Sequence, residues 1–366
     1  MTSDATNTND RNQTTEAPVL FKQDGPVGHI LLNRPRALNA LDLEMVDLMA
    51  AKLKSWESDS SIKVVIVEGA GEKAFCAGGD IRGLYDARAV DDEEMLDAFY
   101  RREYQLNHYI AQYPKPYVAL MDGITMGGGV GVSIHGRFRV ATECTMFAMP
   151  ETGIGFFPDV GGGYFLPRCP GQIGMYLGLT GARLKAADCM YAGLATHATT
   201  SDQVAAIKSA LTKADYTNDT FDTVSDILSG FNKDMGEAAL ASDRDHIDRL
   251  FSGGSVAAIL EGLGQDDSAF AQNCLKMLGT KSPTALCVSF EQIRLGQDMT
   301  LADVLKMEFR LSQRMVCKPD LFEGVRAVII DKDHAPKWQF GDVGQVDPRE
   351  VAEYFELLPT ERELNL

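Results

Sequence analysis

The chain has 366 residues, 45% of them hydrophobic, which suits one large domain or two ordinary ones with a real core. Its formal net charge of −17 argues against a nucleic-acid partner, because such binding needs Lys and Arg to neutralise phosphates; a local basic patch can still hold an anionic ligand. Seven scattered cysteines with no Cys-x-x-Cys pair support neither a zinc ribbon nor a disulfide framework and fit a reducing, intracellular setting.

Residues 1–17 are polar and carry Asp and Glu. They have neither the apolar centre of a secretory signal nor the Arg-rich, acid-poor character of a transit peptide. We read them as a disordered tail and expect a cytoplasmic protein. No stretch reaches the roughly 18 apolar residues of a membrane span, so no membrane partner is expected. Val27 to Leu32 has β character and is broken at Pro35. Asp42 is a candidate N-cap for a helix with apolar residues at Met45, Leu48, Met49, Leu53 and Trp56. Ile62 to Val67 is a nearly continuous apolar run, the pattern of a strand buried on both faces. Strand, helix, strand in this order predicts an α/β layer.

A glycine-containing loop follows, Phe75-Cys76-Ala77-Gly78-Gly79-Asp80. It lacks the spacing of a dinucleotide or phosphate loop. From Asp91 to Ile110 the pattern is helical, with Met95, Phe99, Leu106 and Ile110 apolar among charges. Glu103 lies in that helix and, on pattern alone, reads as a solvated residue. A buried strand from Tyr117 to Leu120 leads to the glycines Gly127-Gly128-Gly129. A helix is predicted over Val130 to His135 and a strand over Arg137 to Thr142. Next come the pairs Pro150-Glu151 and Pro158-Asp159, two acids in apolar surroundings. Such surroundings raise a carboxylate's pKa and its basicity. Helices are predicted over Ile173 to Leu179 and Leu184 to Tyr191. From about Ser201 amphipathic helical patterns dominate. The predicted organisation is thus a tail (1–17), an α/β core (18–200) and a C-terminal helical region (201–366).

Two glycine loops, each following a strand, can aim two backbone N–H groups at one oxygen and so form an oxyanion hole. Ala77 and Gly128 are the expected donors. Glu151 could act on the polarised carbonyl, or on a water or α-proton beside it, while Asp159 orients substrate or handles a second proton. Ser133 and His135 are two apart and no Gly-x-Ser-x-Gly elbow exists, so a Ser-His-Asp triad is a poor reading. The six histidines are dispersed, and no metal is expected.

Asn33-Arg34-Pro35 with Asn39-Ala40-Leu41, then FCAGGDI, GITMGGGVGVSIHGRFRVA and MPETGIGFFPDVGGGYFLPR, together resemble the crotonase (enoyl-CoA hydratase/isomerase) superfamily. Within it the chain is most similar to the 3-hydroxyisobutyryl-CoA hydrolases, including the late segment EGVRAVIIDKDHAPKW. The resemblance runs from about residue 18 to near the end. It implies a spiral of β-β-α units with a C-terminal helical region. It also implies catalytic carboxylates at Glu151 and Asp159, oxyanion donors at Ala77 and Gly128, and a substrate-binding glutamate at Glu103. The adenine end of an acyl-CoA is expected near the Asn33–Leu41 and Ala77–Arg82 loops. Enoyl-CoA hydratases are similar but use a second glutamate where this chain has Gly131, so thioester hydrolysis is the implied reaction. Hydration or isomerisation of an enoyl-CoA is the alternative. Valine catabolism, homo-oligomer formation and the absence of any cofactor beyond the CoA of the substrate are further expectations from the resemblance.

Overall fold

The computed structural model of the protein describes residues 17–366. The tail predicted over 1–17 therefore lies outside the described residues, apart from Ala17. Nine strands occur among the described residues: β1 (Val19–Asp24), β2 (Val27–Leu32), β3 (Val64–Gly69), β4 (Ala74–Cys76), β5 (Tyr117–Met121), β6 (Ile124–Met126), β7 (Phe138–Thr142), β8 (Met146–Ala148) and β9 (His197–Thr199). They form a six-stranded sheet in the order β1-β2-β3-β5-β7-β9 and a three-stranded sheet in the order β4-β6-β8. Only the β1–β2 hairpin is antiparallel; every other pair is parallel.

The helices that follow the first strands are α1 (Leu43–Ser58), α2 (Ile81–Ala89), α3 (Glu93–Ala111) and α4 (Gly128–Ile134). After the β1–β2 hairpin, which lies wholly in the large sheet, each turn of the chain lays one strand in the large sheet and one in the small sheet, then crosses back through a helix. This is the β-β-α spiral. Asp42 caps α1 as predicted, its carboxylate accepting the Met45 N–H at 2.9 Å.

The apolar run at Ile62 to Val67 becomes β3 because its two faces meet two different cores. Val65 and Val67 face the main core, whereas Val64 and Ile66 face a smaller cluster. That cluster is covered by Ile207 and Leu211 of one helix and Val224 and Leu228 of the next. Burying alternate residues on opposite faces explains why no polar position interrupts the run.

Two features differ from the sequence reading. Leu184 does not open a helix; it bridges to Phe147, and the helix starts at Ala186. The strands β4, β6 and β8 have three residues each, too few for period-2 alternation to register.

The later helices are α5 (Gly162–Phe165), α6 (Ile173–Thr180), α7 (Ala186–Tyr191), α8 (Val204–Lys213), α9 (Thr220–Gly230), α10 (Ala239–Leu250), α11 (Val256–Gly264), α12 (Ala269–Leu278), α13 (Pro283–Gly296), α14 (Leu301–Met315), α15 (Pro319–Val325) and α16 (Pro348–Phe355). α8 and α9 cover the outer face of the large sheet. α10 to α16 share the main core, and α13 and α14 reach the turn that carries Asp159. Among the described residues no helix is long and apolar enough to cross a membrane.

Candidate active site

Glycine makes the centre of the site possible. A Cβ on Gly128 would lie 2.6 Å from Glu103 Oε1 and 3.1 Å from the Gly79 nitrogen, so no larger residue fits there without displacing one of them. The first glycine loop, the start of α4 and the Glu103 carboxylate therefore converge on one point. One residue earlier, a Cβ on Gly127 would sit 3.0 Å from Glu151 Oε1. Gly127 has φ +47°, a region that favours glycine, and its turn delivers Gly128 to the helix N-terminus.

The Asn33–Leu41 loop braces the first glycine loop. Arg34 pairs with Asp80 at 2.7 Å and with Asp42 at 3.2 Å. Asn39, fully buried, accepts the Arg34 N–H at 3.0 Å and donates to the carbonyls of Ala70 and Ala74, both at 2.9 Å. The same loop overturns one expectation. The Ala77 N–H is already committed, donating to the Leu38 carbonyl at 3.0 Å. Further along, Leu41 N–H donates to Gly78 O at 2.8 Å and Asp80 N–H to Leu41 O at 2.7 Å. Gly79 lies between them, and its N–H, like that of Gly128, has no hydrogen-bond partner among the described residues. Gly79 and Gly128, not Ala77 and Gly128, are the pair of free amides brought together. Nothing in the local sequence separates these neighbouring amides. The carbonyls that occupy or spare them come from a loop distant along the chain.

Three carboxylates meet here, each largely out of water: Glu103 at 1%, Glu151 at 6% and Asp159 at 7% exposure. Burial pushes Glu103 and Glu151 well above the usual carboxylate range, and the nearby charge of Asp159 pushes both the same way. Lys281 pulls Glu151 in the opposite direction. Burial raises Asp159 to about 7, although the Tyr104 hydroxyl, donating to its Oδ2 at 3.0 Å, holds it back. Glu103 Oε1, Glu151 Oε2 and both amide atoms of Asn107 are buried without a hydrogen-bond partner among the described residues.

Glu103 is not the solvated residue that its charged neighbours implied. The buried stripe of α3 runs Leu96, Phe99, Tyr100, Glu103, Tyr104, Leu106, Asn107 and Ile110. Glu103 and Asn107 fall in phase with Phe99 and Ile110, and that phase was the signal available in the sequence. Tyr100 stacks on Phe156 with ring centroids 5.6 Å apart, giving the site an aromatic wall. His135, considered for a triad, instead meets the Val160 carbonyl through Nε2 at 2.7 Å, while Ser133 bonds back to Gly129 O and Val130 O in its own helix.

Gly131 is the position at which similar hydratases would carry their second acid. A Cβ there would lie 2.8 Å from Val160 Cβ and 2.9 Å from Asn107 Nδ2. The space for an acid is already taken.

The family description Enoyl-CoA hydratase/isomerase matches residues 27–355. The chain is 48% identical over 353 residues to the mitochondrial 3-hydroxyisobutyryl-CoA hydrolase of Danio rerio, covering 95% of this chain and 91% of that one. It is 50% identical over 325 residues to the enzyme of the same name from Xenopus laevis, covering 87% and 84%. Among solved structures it resembles a carnitinyl-CoA dehydratase from Mycobacterium thermoresistibile, with 39% identity, a TM-score of 0.88 and coverage of 96% and 99%. The mitochondrial names of the first two overturn the expectation of a cytoplasmic protein. That expectation rested partly on reduced cysteines, which report a redox setting and do not distinguish one intracellular compartment from another.

Proposed function

The chain belongs to the enoyl-CoA hydratase/isomerase family, and from that premise we propose that it hydrolyses the thioester of 3-hydroxyisobutyryl-CoA or a similarly short 3-hydroxyacyl-CoA. The observation that carries this reading is Gly131. With Val160 and Asn107 against it, position 131 supplies no acid, and the acids present, Glu103, Glu151 and Asp159, come from other positions. Adding water across a double bond by the mechanism of the similar hydratases needs an acid at that position; cleaving a thioester does not.

In this reading the thioester carbonyl sits between the N–H groups of Gly128 and Gly79, which stabilise the oxyanion as it forms. Glu151 takes one of two parts. As nucleophile, its carboxylate attacks the carbonyl carbon, the C–S bond breaks, CoA leaves as thiolate, and water then opens the mixed anhydride. As base, it removes a proton from a water that attacks the same carbon. Asp159 binds the 3-hydroxyl or orients the nucleophile, and Glu103 contacts the substrate beside Gly128. The reaction needs no cofactor beyond the CoA of the substrate, and valine breakdown is the pathway it implies.

The test is thiol release. Full-length protein with (S)-3-hydroxyisobutyryl-CoA should liberate CoA, Glu151→Gln should abolish the release, and crotonyl-CoA should be left unchanged. Loss of the crotonyl double bond without thiol release would instead support a hydratase. Single turnover in labelled water tests the anhydride route: label in Glu151 means that water opened an anhydride at the Glu151 carbonyl.

A further inference from the structure

The turn that carries Asp159 is held by groups that the chemistry above does not use. Val160 and Gly161 both have positive φ, +50° and +89°. For a β-branched residue that conformation persists only where its surroundings over-determine it. Here the surroundings are side chains from three separate parts of the chain. His135, at the end of α4, meets Val160 O at 2.7 Å. A carbonyl can only accept, so Nε2 carries the hydrogen; burial lowers this imidazole to about 4 and keeps it neutral. Gln292 of α13 donates its Nε2 to Pro158 O at 2.7 Å. Glu308 of α14 takes the two amides on the far side of the turn: Oε2 accepts Gly161 N–H at 2.7 Å and Oε1 accepts Gly163 N–H at 2.8 Å. Gln292 Nε2 also donates to Glu308 Oε1 at 2.9 Å, tying the two helices together. Glu308 and Gln292 are both fully buried.

A fully buried carboxylate far along the chain that spends both oxygens on one turn is unusual, because glutamate is rarely buried unless its oxygens are satisfied. We infer that Glu308 is a positioning residue for the hydrolysis: by gripping the Gly161 and Gly163 amides it holds Asp159 against the substrate. The inference rests on the roles given above to Asp159 and Glu151. All three donors point at Glu308, so its ionised form is the one the clamp fits, although burial raises it to about 8. The charge of Asp159 raises Glu308, and the charge of Glu308 in turn raises Glu151 in the site and Tyr104 on α3. Gln292 is its neutral neighbour on α13. Glu308 therefore adds to the repulsion that raises Glu151.

The test is Glu308→Gln in the full chain, with wild type alongside, reading thiol release from (S)-3-hydroxyisobutyryl-CoA as kcat and KM from about pH 5 to about 9. Thermal unfolding and circular dichroism verify the fold. The expected result is a folded variant with kcat roughly tenfold or more below wild type and KM within about threefold. The acid limb of kcat moves to lower pH, because a charge that raised Glu151 is gone. A side chain that merely fills space would not move that limb. A folded variant with wild-type kcat overturns the inference, and so does a reduced kcat with the limb unmoved. If Glu308→Gln does not fold, Gln292→Met removes the amide donation to Pro158 O and the one to Glu308 and should give the same kcat loss; wild-type kcat there overturns the inference too. Failure of wild type itself to release thiol counts against the hydrolase reading and is distinct from either result.

Discussion

Tyr104 donates its hydroxyl to Asp159 Oδ2 at 3.0 Å inside the protein, and this bond opposes the burial that raises the acid. Removing it in Tyr104→Phe leaves Asp159 higher and one buried oxygen unpaired, a penalty of about 1–3 kcal/mol. We expect kcat/KM for thiol release to fall roughly tenfold, with the acid limb displaced to lower pH, because an Asp159 that holds its proton longer repels Glu151 less. Steady-state kinetics across pH test this, and an unchanged limb would show that Tyr104 does not tune the site.

Glu151 must be deprotonated both to attack a carbonyl and to accept a proton from water. Its carboxyl is raised by burial and then by Asp159. Activity should therefore rise with pH through an apparent value above the ordinary carboxylate range. In Asp159→Asn that limb should move down, since the second cause is removed. Residual activity can be followed at high enzyme concentration, and a limb moving upward would contradict the assignment.

The raised acid also predicts a stability effect. In the unfolded chain Asp159 titrates near its ordinary 3.8; in the folded protein it is raised to about 7. Between these values the folded state holds a proton that the unfolded state has released, so stability falls as pH rises through this window. Asp159→Asn should thus be more stable than wild type at pH 8, by on the order of 1–3 kcal/mol, and nearly equal to it at pH 4. Thermal unfolding at the two pH values measures the difference. A variant less stable at pH 8 would mean that the carboxylate is not strained there.

Gly131→Glu puts back the acid that the similar hydratases carry. Its Cβ would meet Val160 at 2.8 Å and Asn107 at 2.9 Å. The expected outcome is a loss of about 1–3 kcal/mol or more from overpacking, with no hydration of crotonyl-CoA. Efficient hydration by a folded Gly131→Glu would mean that the turn at Val160 yields, and that the missing acid alone decided the chemistry.

Much of the fold was legible because its signals are local. The Asp42 cap, the apolar stripe of α1 and the uninterrupted run of β3 each depend on residues a few positions apart. The acids Glu151 and Asp159 stood out for the same reason, as carboxylates set among Phe156, Phe157 and Pro158. The three-residue strands were too short to register. Glu103 was misread because its charged neighbours masked its phase with Phe99 and Ile110. The family was indicated by the resemblance that the Asn33–Leu41 stretch, FCAGGDI, GITMGGGVGVSIHGRFRVA and MPETGIGFFPDVGGGYFLPR carry together, and that resemblance, with Gly131 at the hydratases' acid position, implied the kind of reaction.

Only the tertiary structure decided which amide is free and which side chains hold the site. Ala77 and Gly79 are chemically alike in sequence; the Leu38 carbonyl occupies the first and the Leu41 pairings pass by the second. Glu308 lies in the amphipathic helical part of the sequence, and only the packing of α14 brings it beneath Gly161 and Gly163. Hydrogen bonds between distant segments select among equivalent groups, and no local pattern encodes that selection because the partner is supplied by the fold.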